Sequence, residues 1–377
     1  MTSSKDNNWY VRTVCAILFF VFSLLYLYHY QAGLIAYTQH VCSGGQTQYN
    51  RVIGTVLIMI ILMLLQFGLG RLLRRLSLLY ALSYVPSLIL LVALTSIEVT
   101  DGTWGFGGVK YILPLSLVAY VALMYMVMKV CDMTKYMYKY GVSTLLISNM
   151  SCMIAFFLLT LQFGNHDKSL HERLRMEQCI LRGDYEGALD VSENTASLTP
   201  SATMLTAYAL ANRGMLAERI FSYDIATGSS CLTPDGHATS LLLYPESRFY
   251  RYIGFWPKQK MAASVYLDYL YRHHYKGRAF VDYLLVSLLL DKKLDKFASY
   301  IQKFYDVDKT LPLHYREALT LYVHMRFAPG VVYHNNVMEA DFQDFQKLEQ
   351  QYADKTERSN MVRDVYGNTY WFYYFYK

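Results

Sequence analysis

The chain has 377 residues, with 35 Lys and Arg against 29 Asp and Glu, and 16% of its residues are aromatic. Cut near Asn165, the first part holds 10 basic against 4 acidic residues and the remainder 25 of each, so the net charge of +6 belongs wholly to the first part. A basic excess confined to loops between apolar runs fits lipid head groups and membrane topology, and it sets nucleic acid aside as a partner.

In chain order, five apolar stretches stand against the roughly 20 residues that a helix needs to cross a bilayer core. Val14 to Tyr28 is short, but Trp9 and Tyr10 extend it as interfacial anchors. Ile53 to Gly70, Leu76 to Leu94, Tyr111 to Met128 and Gly141 to Phe163 contain no Asp, Glu, Lys, Arg or His. Lys5 and Arg12 before the first stretch suit a signal peptide, yet Tyr28, His29 and Tyr30 stand where cleavage wants small residues, which favours an uncleaved helix.

The loops between these stretches alternate in charge. Arg71, Arg74 and Arg75 lie between the second and third, and Lys129, Lys135 and Lys139 between the fourth and fifth, while the intervening loops are poorer in cations. Five spans with that alternation place the N-terminus in the cytoplasm and everything after Phe163 outside, in the periplasm of a Gram-negative bacterium. The lack of ionisable groups in the longer spans argues against a proton-coupled transporter. Ser143, Thr144, Ser148, Asn149 and Ser151 in the last span suit helix-to-helix hydrogen bonds. The loop "GTWGFGGVK", Gly102 to Lys110, lacks the Gly-Lys-Ser/Thr of a phosphate loop and reads as a flexible outer turn with Trp104 at the interface.

From residue 165 the pattern changes to amphipathic helices in pairs. "RGDYEGALDVSEN" breaks one pair at Gly183 and Asp184, with small Ala188 allowing close approach and Pro200 preceding a fresh helix. Gly214 breaks a second pair and Asp291 to Lys293 a third; a helix starts at Pro312, and Glu339 to Tyr352 forms another. Residues 226–257, rich in Gly, Ser and Pro, read as a long loop. The stretch from Ala188 to Pro200 resembles part of the tetratricopeptide pattern, whose hairpins stack into a concave surface suited to peptides and proteins. The fold class expected is therefore all-α: a transmembrane domain over 1–164 and a soluble helical-repeat domain over 165–377.

Chemistry is sparse. No Cys-x-x-Cys, His-Glu-x-x-His or Gly-x-Ser-x-Gly pattern occurs, and adjacent His273 and His274 point about 100° apart on a helix. Glu172, Glu177, Asp291 and Asp295 read as solvated carboxylates on amphipathic helices. Cys42, Cys179 and Cys231 on the outer side share no tight spacing and read as free thiols. No catalytic residue, metal or cofactor is assigned. The terminal "TYWFYYFYK" offers faces for stacking on a glycan or filler for gaps between helices.

"ALANRGMLAERIF", "DYLLVSLLLDKKLDKF", "LPLHYREAL" and "YGNTYWFYYF" resemble a Bacteroidota family of membrane proteins known as domain of unknown function 6057. The resemblance covers most of residues 165–377 and implies an inner-membrane location; it supplies no activity and no functional residues. Taken together, the leading expectation is a non-enzymatic protein that contacts membrane lipid and recruits envelope proteins or peptides on the inner face of its helical repeats, near Tyr208, Asn212, Tyr283 and Ser287. Two alternatives stay open. One is an envelope enzyme acting on glycan or lipid, with its site where Gly102 to Lys110 meets the first soluble helix; the other is a passive structural subunit.

Overall fold

The computed structural model describes residues 3–72, 79–100, 103–105, 109–133, 142–236 and 238–377, and the chain divides into two compact units, Met1–His171 and Glu172–Lys377. Among the described residues the protein is all-α apart from one small hairpin.

In the first unit, α1 (Ser3–Leu25) runs through a π-helical turn, Tyr26–Tyr30, into the short α2 (Ala32–Cys42). Then come α3 (Arg51–Leu72), a 3-10 turn at Tyr80–Tyr84 leading into α4 (Val85–Thr95), the strands β1 (Glu98–Thr100) and β2 (Thr103–Gly105), α5 (Val109–Met133) and α6 (Val142–Phe163). Four stretches, Trp9–Tyr30, Arg51–Arg71, Lys110–Lys129 and Val142–Phe163, are long and apolar enough to cross a membrane.

The third expected span departs from that length. It consists of a five-residue 3-10 turn and an eleven-residue α-helix. Pro86, in the first turn of α4, lacks the N–H that would carry the α-helix back through the 3-10 segment. The segment is buried inside its own unit: Tyr80 to Tyr84, Ser87, Leu88, Leu91 and Thr95 are all covered. Polar bonds explain the burial, since Ser87 donates to the Leu62 carbonyl (2.9 Å) and the Asn149 amide oxygen accepts from the Ala81 N–H (2.7 Å). Residues 76–78 of that stretch, Arg74, Arg75, Lys135, Lys139 and the Cys131 side chain lie outside the described residues.

Hydrogen bonds at the helix ends fix the running directions. The Tyr26 and Thr95 hydroxyls meet at 3.0 Å, the Asn165 N–H donates to the Thr95 carbonyl (2.7 Å), and the Gln31 amide donates to the Asn165 carbonyl (2.9 Å). Arg51, which opens α3, donates to the Tyr28 carbonyl at this same end. At the opposite end the Arg12 guanidinium lies 5.0 Å from the centre of the Tyr80 ring, and the Gln66 amide donates to the Tyr80 hydroxyl (3.1 Å). So α1, α4 and α6 run one way and α3 the other. Short as it is, α4 with its 3-10 turn reaches from one of these ends to the other. The Gly102 to Lys110 loop is partly a hairpin rather than a free turn, with Val99 opposite Trp104 and Thr100 opposite Thr103; residues 101–102 and 106–108 lie outside the described residues.

The second unit begins within α7 (Lys168–Leu181) and continues through α8 (Tyr185–Glu193), α9 (Pro200–Asn212), α10 (Leu216–Arg219), α11 (Glu246–Ile253), α12 (Ala263–Arg272), α13 (Arg278–Leu290) and α14 (Leu294–Phe304). It closes with α15 (Leu313–Met325), α16 (Asn336–Gln351), α17 (Lys355–Tyr366) and α18 (Tyr370–Tyr376). One turn recurs at four breaks. Gly183, Gly214, His274 and Lys292 take φ of 74°, 70°, 55° and 56°, and each is followed by an N–H that bonds back to the last turn of the preceding helix. This is the left-handed helix stop that glycine suits best. His274 and Lys292 reach it without glycine, and no residue around His274 marks the stop in advance.

The helices do not stack as a simple row. α10 packs on α13 and α15 as well as on α9, and α9 also touches α13. As a result Ser201 to Leu210 of α9 and Tyr283 to Leu290 of α13 are buried without interruption, as a helix apolar on every side must be. Residues 226–257 are also more ordered than a loop, holding a 3-10 turn at Ser229–Leu232 and the whole of α11. The Gly, Ser and Pro markers were real, but Tyr244, Phe249 and Tyr250 carry enough apolar surface to draw the segment into the core. Cys231 lies there too: burial pushes its thiol up to about 12, and its sulfur donates to the Gly228 carbonyl (2.9 Å).

Candidate functional site

Three of the four residues expected on a partner surface are in the core. Tyr208 and Tyr283 are 2% and 0% exposed. Tyr208 stacks on Phe249 with ring centres 4.8 Å apart and shares a 2.9 Å hydroxyl contact with Tyr244. Ser287 is 3% exposed, and its hydroxyl donates to the Leu284 carbonyl. Asn212 is half-buried and donates its amide to the Tyr208 carbonyl. Their burial has one physical cause. Helical spacing gives a residue's face but not how many neighbours cover that face, and α9 and most of α13 are covered by other elements.

Ser287 nevertheless marks the floor of a groove of about 500 Å³ between α12, α13 and α14. Leu284, Ser287 and Leu288 of α13 form the floor; Val265, Tyr269 and Arg272 rise on the α12 side, and Lys293, Lys296 and Tyr300 on the α14 side. At one end Tyr271 stacks on Tyr300 (4.3 Å), and Lys303 donates to the Tyr271 hydroxyl (2.6 Å), bridging the two walls.

The electrostatics of the groove are uneven. Asp268 is paired with Arg272 and Asp291 with Lys293, both at 2.7 Å. Burial disfavours the charge on Asp291, yet the Lys293 ammonium and the Ser229 N–H together hold its carboxyl below the usual range. Among the described residues Lys296 has no ion pair, so the lining carries three cations against two carboxylates. An acidic, extended chain flanked by apolar side chains fits this combination of charge, aromatic rim and apolar floor.

The sequence did contain a sign of this surface. Lys293, Lys296 and Tyr300 recur at three- and four-residue spacing and so share one helix face. The apolar side of the same helix, with Leu294, Phe297 and Ile301, dominates its pattern and masks them.

Two other polar residues turned out to be structural. Glu177, read as solvated, is 0% exposed. Its carboxylate accepts from the backbone N–H groups of Leu242 (2.9 Å), Leu243 (2.5 Å) and Tyr244 (2.8 Å), with Arg173 beside it at 3.4 Å. Glu317, 3% exposed, accepts from the Tyr370 N–H (2.7 Å) and sits 2.9 Å from His314 Nδ1. Of the terminal aromatics, Tyr370, Trp371, Phe372 and Tyr373 are buried core filler, while Phe375 is 45% exposed.

No curated protein and no solved structure matches the chain. A family-wide sequence model matches residues 103–256 and 255–377, which together cover the last strand of the small hairpin, α5, α6 and the whole second unit. On that coverage the protein belongs to the family of unknown function DUF6057.

Proposed function

We propose that this is an integral inner-membrane protein whose second unit lies in the periplasm and recruits an acidic segment of an envelope protein, without catalysis. The observation that carries the reading is the groove over Leu284 and Ser287, open between two helices and lined by Arg272, Lys293 and Lys296. The orientation takes α4 as a fifth traverse beside the four helices long enough to cross, and is supported by the basic residues near Arg71 and Lys129. In this reading the unit brings partners together as tetratricopeptide-like hairpins do, although with a groove on its flank rather than a concave inner face.

Two measurements test these statements. A reporter active only in the periplasm, fused after Lys377, is expected to be active; a cytoplasmic signal from the same fusion would reverse the orientation. A photo-crosslinking residue at Val265, 57% exposed on the groove wall, is expected to trap a partner whose yield falls about tenfold or more in the Lys293→Glu, Lys296→Glu double variant, since two attractive contacts become repulsive. Unchanged capture in the folded double variant would remove the groove from recognition.

The second reading, an envelope enzyme acting on glycan or lipid, is favoured by Glu98, His166 and Asp167 lining one cavity near the hairpin. Part of that set is already committed, because Asp167 accepts from the N–H groups of Ser169 (2.9 Å) and Leu170 (3.3 Å) at the start of α7.

A further inference from the structure

Two cavities of the first unit adjoin. One, of about 290 Å³, lies between α4, α5 and α6 and is lined by apolar side chains including Leu88, Val92, Leu113, Ala119 and Phe156. Two of the three hydroxyls on its wall are occupied: Ser116 donates to the Leu113 carbonyl (2.7 Å) and Thr160 to the Phe156 carbonyl (2.9 Å), leaving that of Tyr120. A slot so largely apolar suits hydrocarbon. Phe163 closes one side of it and also lines the second cavity, of about 300 Å³, at the C-terminal ends of α4 and α6.

The second cavity has a different chemistry. It is lined by Ser96, Glu98, Gln162, Asn165, His166 and Asp167, with no Lys or Arg. Ser96 is 2% exposed, yet among the described residues its hydroxyl has no hydrogen-bond partner. A buried hydroxyl left in that state is costly, so a ligand oxygen at this position would be stabilised. Asp167 is taken up by the N–H groups at the start of α7, so the free carboxylate is that of Glu98, to which the C-terminal ends of α4 and α6 add partial negative charge; this favours an ammonium over a purely anionic group. Apolar slot and polar cavity lie on either side of Phe163, in the order in which a lipid presents its chain and its head.

We propose that the first unit holds a zwitterionic ethanolamine phospholipid, with one acyl chain in the slot between α4, α5 and α6, its ammonium beside Glu98, and an ester or phosphate oxygen accepting from Ser96. This rests on the placement of the first unit in a bilayer and is independent of the groove in the second unit.

The test uses the full chain reconstituted into bilayer discs of phosphatidylglycerol containing a minor share of phosphatidylethanolamine, extracted gently and read by native mass spectrometry. One retained phosphatidylethanolamine per chain is expected, enriched over its share of the disc. Ala119→Trp, which fills the slot, is expected to abolish retention. Glu98→Lys is at an exposed rim position and should leave folding intact, while the preference shifts toward phosphatidylglycerol by about tenfold as attraction becomes repulsion. Retention that mirrors the disc composition and ignores Glu98→Lys would reduce the slot to ordinary boundary lipid and overturn the proposal. Release of the protein from membranes by alkaline carbonate without detergent would overturn it by another route, since the membrane placement itself would then be at fault.

Discussion

Glu177→Ala is expected to destabilise the second unit by about 3 kcal/mol or more, because it removes the acceptor of three buried backbone N–H groups and leaves Arg173 without its carboxylate. The loss has a specific location. Glu177 on α7 is the point that fixes residues 242–244, and Arg173 adds bonds to the Ser240 carbonyl (2.5 Å) and hydroxyl (2.9 Å). Hydrogen exchange of the full-length protein should therefore show the amides of Leu242, Leu243 and Tyr244 losing protection by about a hundredfold or more, at roughly 1.4 kcal/mol per factor of ten. Glu177→Gln keeps one acceptor oxygen but turns an NH₂ toward N–H donors, so its effect should fall between alanine and the native residue. Amides 242–244 as protected in Glu177→Ala as in the native chain would show that the carboxylate is not what holds the segment.

Trp371→Ala is expected to cost about 3–5 kcal/mol, the range for deleting a large buried aromatic. Trp371 is 1% exposed; its indole N–H donates to the Glu317 carbonyl (2.8 Å), and its ring meets Phe342 at 5.1 Å and Phe345 at 5.9 Å. One side chain thus joins α18 to α15 and α16. Trp371→Phe retains most of the apolar contact and gives up the hydrogen bond, for about 1 kcal/mol. Chemical denaturation of the full chain in mild detergent measures both, and a loss below about 1 kcal/mol for the alanine variant would refute the core placement of the terminal aromatics.

The two predictions bear on function because the groove depends on a settled core beneath it. Its floor, Leu284, Ser287 and Leu288, is one face of α13, and other faces of that helix are held by α10, α11 and the 3-10 turn at Ser229–Leu232. Loosening residues 240–253 or α18 would disturb the helices that set the groove's width before any groove residue was changed.

Much was legible in the sequence for reasons that are local. Four helices of sufficient length and apolarity, the helix breaks at Gly183, Gly214 and Asp291 to Lys293, and the start of α15 after Pro312 all follow from composition over a few consecutive residues. The use of Asn149 as a helix-to-helix hydrogen-bonding group also followed, since an amide in an otherwise apolar span must find a partner inside the protein. The family was visible in the same way, from runs of residues in the second unit.

Only the tertiary structure decided which helix faces reach solvent. Tyr208, Tyr283 and Ser287 occupy helical positions that periodicity cannot distinguish from an inner surface, and they became core because α9 and α13 are enclosed by helices distant in sequence. Glu177 looked like any carboxylate of an amphipathic helix until residues 242–244 aimed three N–H groups at it. The short α4 is the clearest case. Its apolar composition was plain from the chain, but its burial inside the first unit was set by bonds to Leu62, Asn149 and Asn165, residues up to about seventy positions away. Periodicity determined the elements; long-range contacts determined which of their surfaces remain available for function.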